Sequence, residues 1–525
     1  MKILYNARIY TLEASYPIAS AIAIEHGYVV SVGETDDLLS EFDHAEKQDM
    51  GGKAILPGLT DAHLHLQNYA LSLQKIDCDT DTLDECLRRV EERVRSAQPG
   101  EWVLGHGWNQ NNWDAWPSAA NLDKITLDNP VYLTAKSLHA GWANSAALKL
   151  AGFTSASPDP VNGQLQRDEH GDLTGILLET AMELVSKVIP EPSVESIAEA
   201  IEKTQPLLWR MGLTGVHDFD RRACFMALQQ LHAQDKLKLR VTKSIPLDDL
   251  DHAVGLGLRT GFGDDWLRIG SVKAFMDGAL GPRTAAMLQP YLGVPENRGI
   301  LNMDAEELFE AGRQAAGAGL SMAVHAIGDR ANHEVLDAFE QLRRFERDQG
   351  LPPLRHRIEH VQILHPDDAT RLAELDIVAS MQPIHATSDM RMADRYWGER
   401  AALSYAWRTQ LDHGAKLAFG SDAPVESPNP FLGLHAALTR QHADGSPGEE
   451  GWYPEQRLSL QQALEAYTLG PAHVSGLESR LGKLAPGYLA DLIVLTQDPN
   501  VLTPSDLLKL EASATMIAGE WVWRS

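Results

Sequence analysis

LPGLTDAHLHL, residues 56–66, ends a short apolar run on two histidines, His63 and His65. In an extended segment alternate residues share a face, so both imidazoles can approach one ion while Leu64 turns into packing. Taken alone, an HxH pair is more often two ordinary histidines. Four further residues change its weight: Lys273 in GSVKAFMDG, His325 in MAVHAIGD, His360 in RIEHVQ and Asp422 in FGSDAPV. Each sits at or just past the end of a strand-like run, so one fold can carry all six side chains to the same end of a barrel.

Working outward, eight strand candidates follow one another: ILPGLTDAHLHL, LTGVHDF, LRVTKSI, LRIGSVKAF, LSMAVHAI, RHRIEHVQ, IVASMQP and AKLAFGSD. Helical periodicity in AEELFEAGRQAAGAG and DDATRLAEL falls between them, as βα units require. The expected fold is α/β, a distorted TIM (β/α)8 barrel. The two ends of the chain, from KILYNARIYTL to AILPG and from ADLIVLTQD to ATMIAGEWVW, are β-rich and turn-punctuated, and predict one β-sandwich built from both termini. Between the first and second barrel strands the connection is far longer than a βα loop and must be a lobe of its own. It holds Trp102, Trp108, Trp113, Trp116 and Trp142, and its place after a barrel strand makes it a candidate lid or substrate pocket. The expected division is sandwich 1–56, barrel 57–66 and 211–470, inserted lobe 67–210, and sandwich 471–525.

The chemistry of the six residues is uneven. Lysine has three donors and no lone pair for a cation, so Lys273 must change to serve. A buried lysine with a lowered pKa can react with carbon dioxide to give an anionic carbamate able to bridge two ions. The alternative is an ion pair with a nearby carboxylate such as Asp277. His325 and His360 offer neutral imidazole, a common ligand for zinc, iron or nickel, although each alone would read as structural. Asp422 can bind an ion and also take a proton from water, or it can be an Asx turn before Ala423-Pro424. The chain has no GxSxG elbow, and the serine in the catalytic block, Ser421, lies beside Asp422, which argues against a serine nucleophile.

The chain has 525 residues, with 46 Lys+Arg against 73 Asp+Glu and a net charge of −27. Such a surface repels phosphate backbones and anionic headgroups, so nucleic acid and membrane are not expected partners. Three cysteines, Cys78, Cys86 and Cys224, cannot all pair and show no metal spacing, which fits a reducing compartment. The N-terminus lacks a continuous apolar core and no run reaches about 18 apolar residues, so a cytoplasmic location is expected.

These motifs, together with GHGWNQNNW, LHAGWANSAAL, VKAFMDGALGPRTAAM, HAIGDRAN and the closing LGKLAPGYLADLIVL, resemble the amidohydrolase superfamily over nearly the whole chain. The resemblance is to the amidohydrolase 3 branch, which includes YtcJ-like proteins and N-substituted formamide deformylases. It implies a divalent metal centre, with zinc as the expected metal and one or two ions bound. By that resemblance His63 and His65 would hold the more buried ion, Lys273 as a carbamate would bridge, His325 and His360 would hold the second ion, and Asp422 would complete the first site and act as base. The expected reaction is hydrolysis of a non-peptide C–N bond, in an amide, N-formyl or cyclic amide of a small molecule, by metal-activated hydroxide. A lyase or isomerase on the same scaffold, or a metal-binding protein without turnover, is the alternative. Arg283, His385, His139 and Trp108 are candidate substrate contacts, and His217 a packing or supporting residue. Relatives commonly associate, so a homo-oligomer is an open expectation.

Overall fold

The computed structural model describes residues 1–113, 116–135, 140–161 and 163–525. Its centre is a sheet of eight parallel strands: β1 (Leu59–Leu64), β2 (Leu213–Asp218), β3 (Arg240–Pro246), β4 (Leu267–Phe275), β5 (Met322–Ala326), β6 (Arg357–His360), β7 (Val378–Met381) and β8 (Leu417–Phe419). They pair in sequence order. A parallel bridge between Leu64 and Ala423 links the chain beyond β8 to β1, so the sheet is a nearly closed barrel. Every residue of β1, β2, β6 and β7 is buried. Strands covered on both faces read as near-continuous apolar runs, which is the pattern the sequence carries.

The first of those runs is two strands, not one. Ala54–Pro57 pairs with Leu492–Leu495 in the sandwich, and β1 begins at Leu59. Gly58 makes the junction, because a Cβ there would lie 2.3 Å from Thr214 Oγ1. Only glycine fits that approach. Outside the barrel, helix Ala305–Gly317 starts with a capping box in which Asp304 and Glu307 accept each other's backbone N–H groups. DDATRLAEL gives only a 3-10 turn, Pro366–Asp368, and a single α-turn, Arg371–Glu374. That α-turn buries one side chain, Leu372, too little apolar face to sustain a longer helix.

The sandwich draws on both ends of the chain. One sheet holds Tyr28–Gly33, Ala21–Glu25, Lys2–Tyr5 and Glu46–Asp49, and the other Glu520–Arg524, Ala512–Ile517, Leu492–Leu495, Ala54–Pro57, Arg8–Tyr10 and Ile18–Ala19. Leu4, Ile22 and Ile24 of the first pack with Ile9, Ile55, Leu492, Val494 and Met516 of the second in one core. Residues Ala70–Ala200 form a separate compact unit with its own six-stranded mixed sheet and helix Leu83–Ser96. Among the described residues no helix is long and apolar enough to cross a membrane.

Barrel and sandwich meet at a buried ion pair. Arg240 on β3 donates from Nε and Nη2 to the two carboxylate oxygens of Asp491, and Asp491 Oδ1 also accepts from Ala518 N at 2.9 Å. Removing one member leaves the other charged and buried, which costs about 3–5 kcal/mol. Asp491→Ala is therefore expected to lower the urea midpoint of the barrel and sandwich together, followed by circular dichroism. An unchanged midpoint contradicts the coupling.

Candidate metal centre

The parallel strands bring the six residues to one end of the barrel. His63 Nε2 and His65 Nε2 each lie 3.4 Å from Asp422 Oδ1. That spacing equals the edge of a tetrahedron with metal–ligand bonds of about 2.1 Å. Ligand atoms of His63, His360 and Asp422 all fall within 4.8 Å of one another. The His360 ring is 4.6 Å from that of His325 and 5.0 Å from that of His63. The donor set, imidazoles with a carboxylate, suits zinc and neighbouring divalent ions.

Barrel closure fixes this geometry. Asp422 N donates to His63 O at 2.7 Å, and His65 N donates to Ala423 O at 2.8 Å. Asp61 clamps the seam by accepting from His63 N at 3.0 Å, Ser421 N at 3.1 Å and Ser421 Oγ at 2.5 Å. Burial pushes the Asp61 carboxyl up to about 7. Ser421 is thus a structural partner, with its hydroxyl engaged. At Gly420 a Cβ would lie 2.5 Å from His63 N. His360 and Asp422 have φ of 78° and 60°, a left-handed backbone that non-glycine residues seldom adopt outside sites that impose it.

Each imidazole is turned by a second contact. His63 Nδ1 donates to Glu359 Oε2 at 2.7 Å, His65 Nδ1 lies 3.3 Å from Asp220 Oδ1, and His360 Nδ1 lies 2.9 Å from Gln382 Oε1. His325 uses the opposite nitrogen, Nε2, toward Gly278 O at 2.9 Å. Nε2 of the first three and Nδ1 of His325 remain for an ion. Burial lowers His63 to about 4 and His325 to about 3, and holds His360 well below the usual range, so these rings are neutral, the ligating form. For His65 burial works downward, but the hydrogen bonds and charges of Asp220 and Asp422 prevail and raise it to about 9. Burial opposes ionisation of Asp422, yet the imidazoles packed around it, His63 first and then His65 through its hydrogen bond, hold its pKa well below the usual carboxylate range. The corner between these groups attracts positive charge.

Lys273 is buried and, among the described residues, its Nζ has no hydrogen-bond partner. The nitrogen lies 4.8 and 4.9 Å from the ring centroids of Phe219 and Phe275, and burial lowers its pKa to about 8. The alternative pairing with Asp277 is not formed. Asp277 instead accepts from Ala286 N, Ile327 N and Gly328 N at 2.8–3.0 Å.

The candidate substrate contacts divide. His385, on helix Pro383–Trp397, places Nε2 3.9 Å from Asp422 Oδ2, stacks against His360, and among the described residues has no hydrogen-bond partner at either ring nitrogen. Arg283 lies over the Tyr396 ring at 5.4 Å. Trp108 needs correction: it is fully buried in the core of the inserted unit, its indole N–H donates to Leu133 O, and the Trp113, Trp116 and Trp142 rings surround it. Its large apolar surface serves folding of that unit. His139 lies outside the described residues. His217 is a supporting residue inside the barrel, accepting from Arg357 Nη1 at 3.1 Å.

Glu359, Asp220 and Gln382 are absent from the expected set. Their signal is positional, since each stands at or just past the C-terminal end of a barrel strand, where site residues collect.

Comparison with known proteins gives the family. The model of the amidohydrolase family matches residues 46–523. The Arabidopsis thaliana protein LONG AFTER FAR-RED 3 is 35% identical, over 94% of this chain and 86% of its own. The N-substituted formamide deformylase of Arthrobacter pascens is 30% identical, over 98% and 96%. An uncharacterized metal-dependent hydrolase from Pyrococcus furiosus superposes with a TM-score of 0.79 at 32% identity, over 95% of this chain and 99% of that one. With a family match spanning barrel and sandwich alike, the chain belongs to the amidohydrolase family.

Proposed function

We propose that this chain hydrolyses a non-peptide C–N bond of a small molecule, an amide, N-formyl or cyclic amide, using one or two divalent ions, zinc in the first instance. One observation carries the reading: His63 Nε2 and His65 Nε2 each lie 3.4 Å from Asp422 Oδ1, and His360 joins His63 and Asp422 in one close group, near a buried lysine with no hydrogen-bond partner among the described residues. His63, His65 and Asp422 would hold the first ion, His325 and His360 the second, with Lys273 between them. Similarity to the Arthrobacter deformylase supports N-formyl compounds as the first class to test.

A divalent ion supplies electrophilic pull on a carbonyl and water whose pKa falls from 15.7 to about 7. Asp422, ionised at neutral pH, accepts the proton of the attacking water and returns it to the leaving nitrogen. Glu359 and Asp220 keep His63 and His65 from rotating during this exchange. His385 has ring nitrogens free for a hydrogen bond to the substrate carbonyl, and Arg283 is a further contact. Lys273 gains its anionic form when its neutral amine adds to carbon dioxide, forming one N–C bond and releasing one proton to solvent.

Two outcomes test the roles. Asp422→Asn is expected to lower turnover of N-formyl, N-acyl or cyclic amide substrates by about 10²–10⁴-fold, read as amine release, while elemental analysis shows metal still bound. Retained turnover in the loaded variant rejects Asp422 as the base. Protein exchanged into ¹³C-bicarbonate is expected to show one carbamate carbon resonance that Lys273→Arg abolishes, and no such resonance rejects the modification.

A further inference from the structure

The four imidazoles are not supported equally. Behind His63 stands Glu359, itself paired with Arg357 Nε at 2.7 Å, and both charged groups are fully buried. Behind His65 stands Asp220, beside Asp218. Lys243 Nζ pairs with Asp218 Oδ2 at 2.9 Å and donates to the carbonyl of Asp220. Both members of the HxH pair therefore back onto a buried carboxylate; Arg357 balances Glu359, and Lys243 pairs with Asp218 beside Asp220. His360 backs onto the neutral amide of Gln382, and His325 onto the carbonyl of Gly278. Asp277 lies 3.4 Å from His325 Nε2, but its oxygens already accept three backbone N–H groups.

An imidazole whose N–H faces a carboxylate is a better donor at its other nitrogen, and loss of such a partner typically weakens metal binding 10–100-fold. A neutral amide or carbonyl orients the ring without the same gain. The first position also has its anion ready in Asp422, whereas Lys273 is a cation until it is carboxylated.

We propose that Glu359, paired with Arg357, and Asp220, whose backbone carbonyl is held by Lys243, are positioning residues that make the His63–His65–Asp422 position fill first and hold its ion more tightly than the His325–His360 position. This rests on the metal centre of the proposed function. It adds an order of loading, set by the groups behind the rings. Asp220 also accepts from Gln67 N and Asn68 N at the start of helix Leu66–Ser72, so its replacement has a structural component that the test must separate.

The test titrates full-length, metal-stripped protein with Zn²⁺ against a chromophoric chelator, with and without bicarbonate. Two steps are expected, the first at least ten-fold tighter in either condition. Glu359→Gln and Asp220→Asn should each weaken the first step 10–100-fold and leave the second within about three-fold, whereas Gln382→Ala should weaken only the second. Visible bands of the first Co²⁺ equivalent should shift in Glu359→Gln and stay unchanged in Gln382→Ala, a signature that a general loss of stability does not produce. Equal affinities in the unaltered protein, or equal weakening of both steps by Glu359→Gln, overturns the proposal even if Asp220→Asn fails to fold. Failure to bind Zn²⁺ at all sinks the metal reading itself instead.

Discussion

Everything at the site follows from how the chain beyond β8 docks on β1. Two backbone hydrogen bonds, Asp422 N to His63 O and His65 N to Ala423 O, lock a loop to a strand more than 350 residues earlier in sequence. Asp61 and Ser421 reinforce the seam from below, and the missing side chain of Gly420 lets the two segments touch. The consequence is a 3.4 Å spacing between a carboxylate oxygen and two imidazole nitrogens. A shift of about 1 Å in that seam would disperse the donors, which is the scale at which misplaced groups lose about 10²-fold in rate.

The barrel floor shows how much charge this arrangement requires. Lys273, Arg357 and Glu359 are buried together, with Lys243, Asp218 and Asp220 forming a second charged group nearby in the strand order. Buried charges are costly unless paired, and here the pairs are nearly complete. Lys273 has no such pair: its nitrogen faces two aromatic rings and, among the described residues, has no hydrogen-bond partner. The fold tolerates an unsatisfied amine here, in contact with the ring of Phe219 that stacks on His63. Left-handed backbone at His360 and Asp422 marks the same locality, consistent with strain held at a site that uses it.

The barrel is legible in the sequence because its strands, covered on both faces, read as apolar runs, and the chemistry sits where those runs stop. That is why Lys273, His325, His360 and Asp422 can be picked out without any contact being visible. Glu359 and Asp220 are not legible in the same way. Their partners, His63 and His65, lie 296 and 155 residues away, and only closure decides which carboxylate meets which ring. Trp108 misleads for the opposite reason, since a tryptophan-rich insertion reads alike whether the rings bind a ligand or build a core. LPGLTDAHLHL hides a change of sheet at Gly58, because periodicity does not reveal which sheet a strand joins.

The most direct measurement is anomalous scattering, at element-specific edges, from crystals of protein purified without chelator. The account predicts a divalent ion bonded to His63 Nε2, His65 Nε2 and Asp422 at about 2.0–2.2 Å. A peak elsewhere, or none there after Zn²⁺ is supplied, would contradict it.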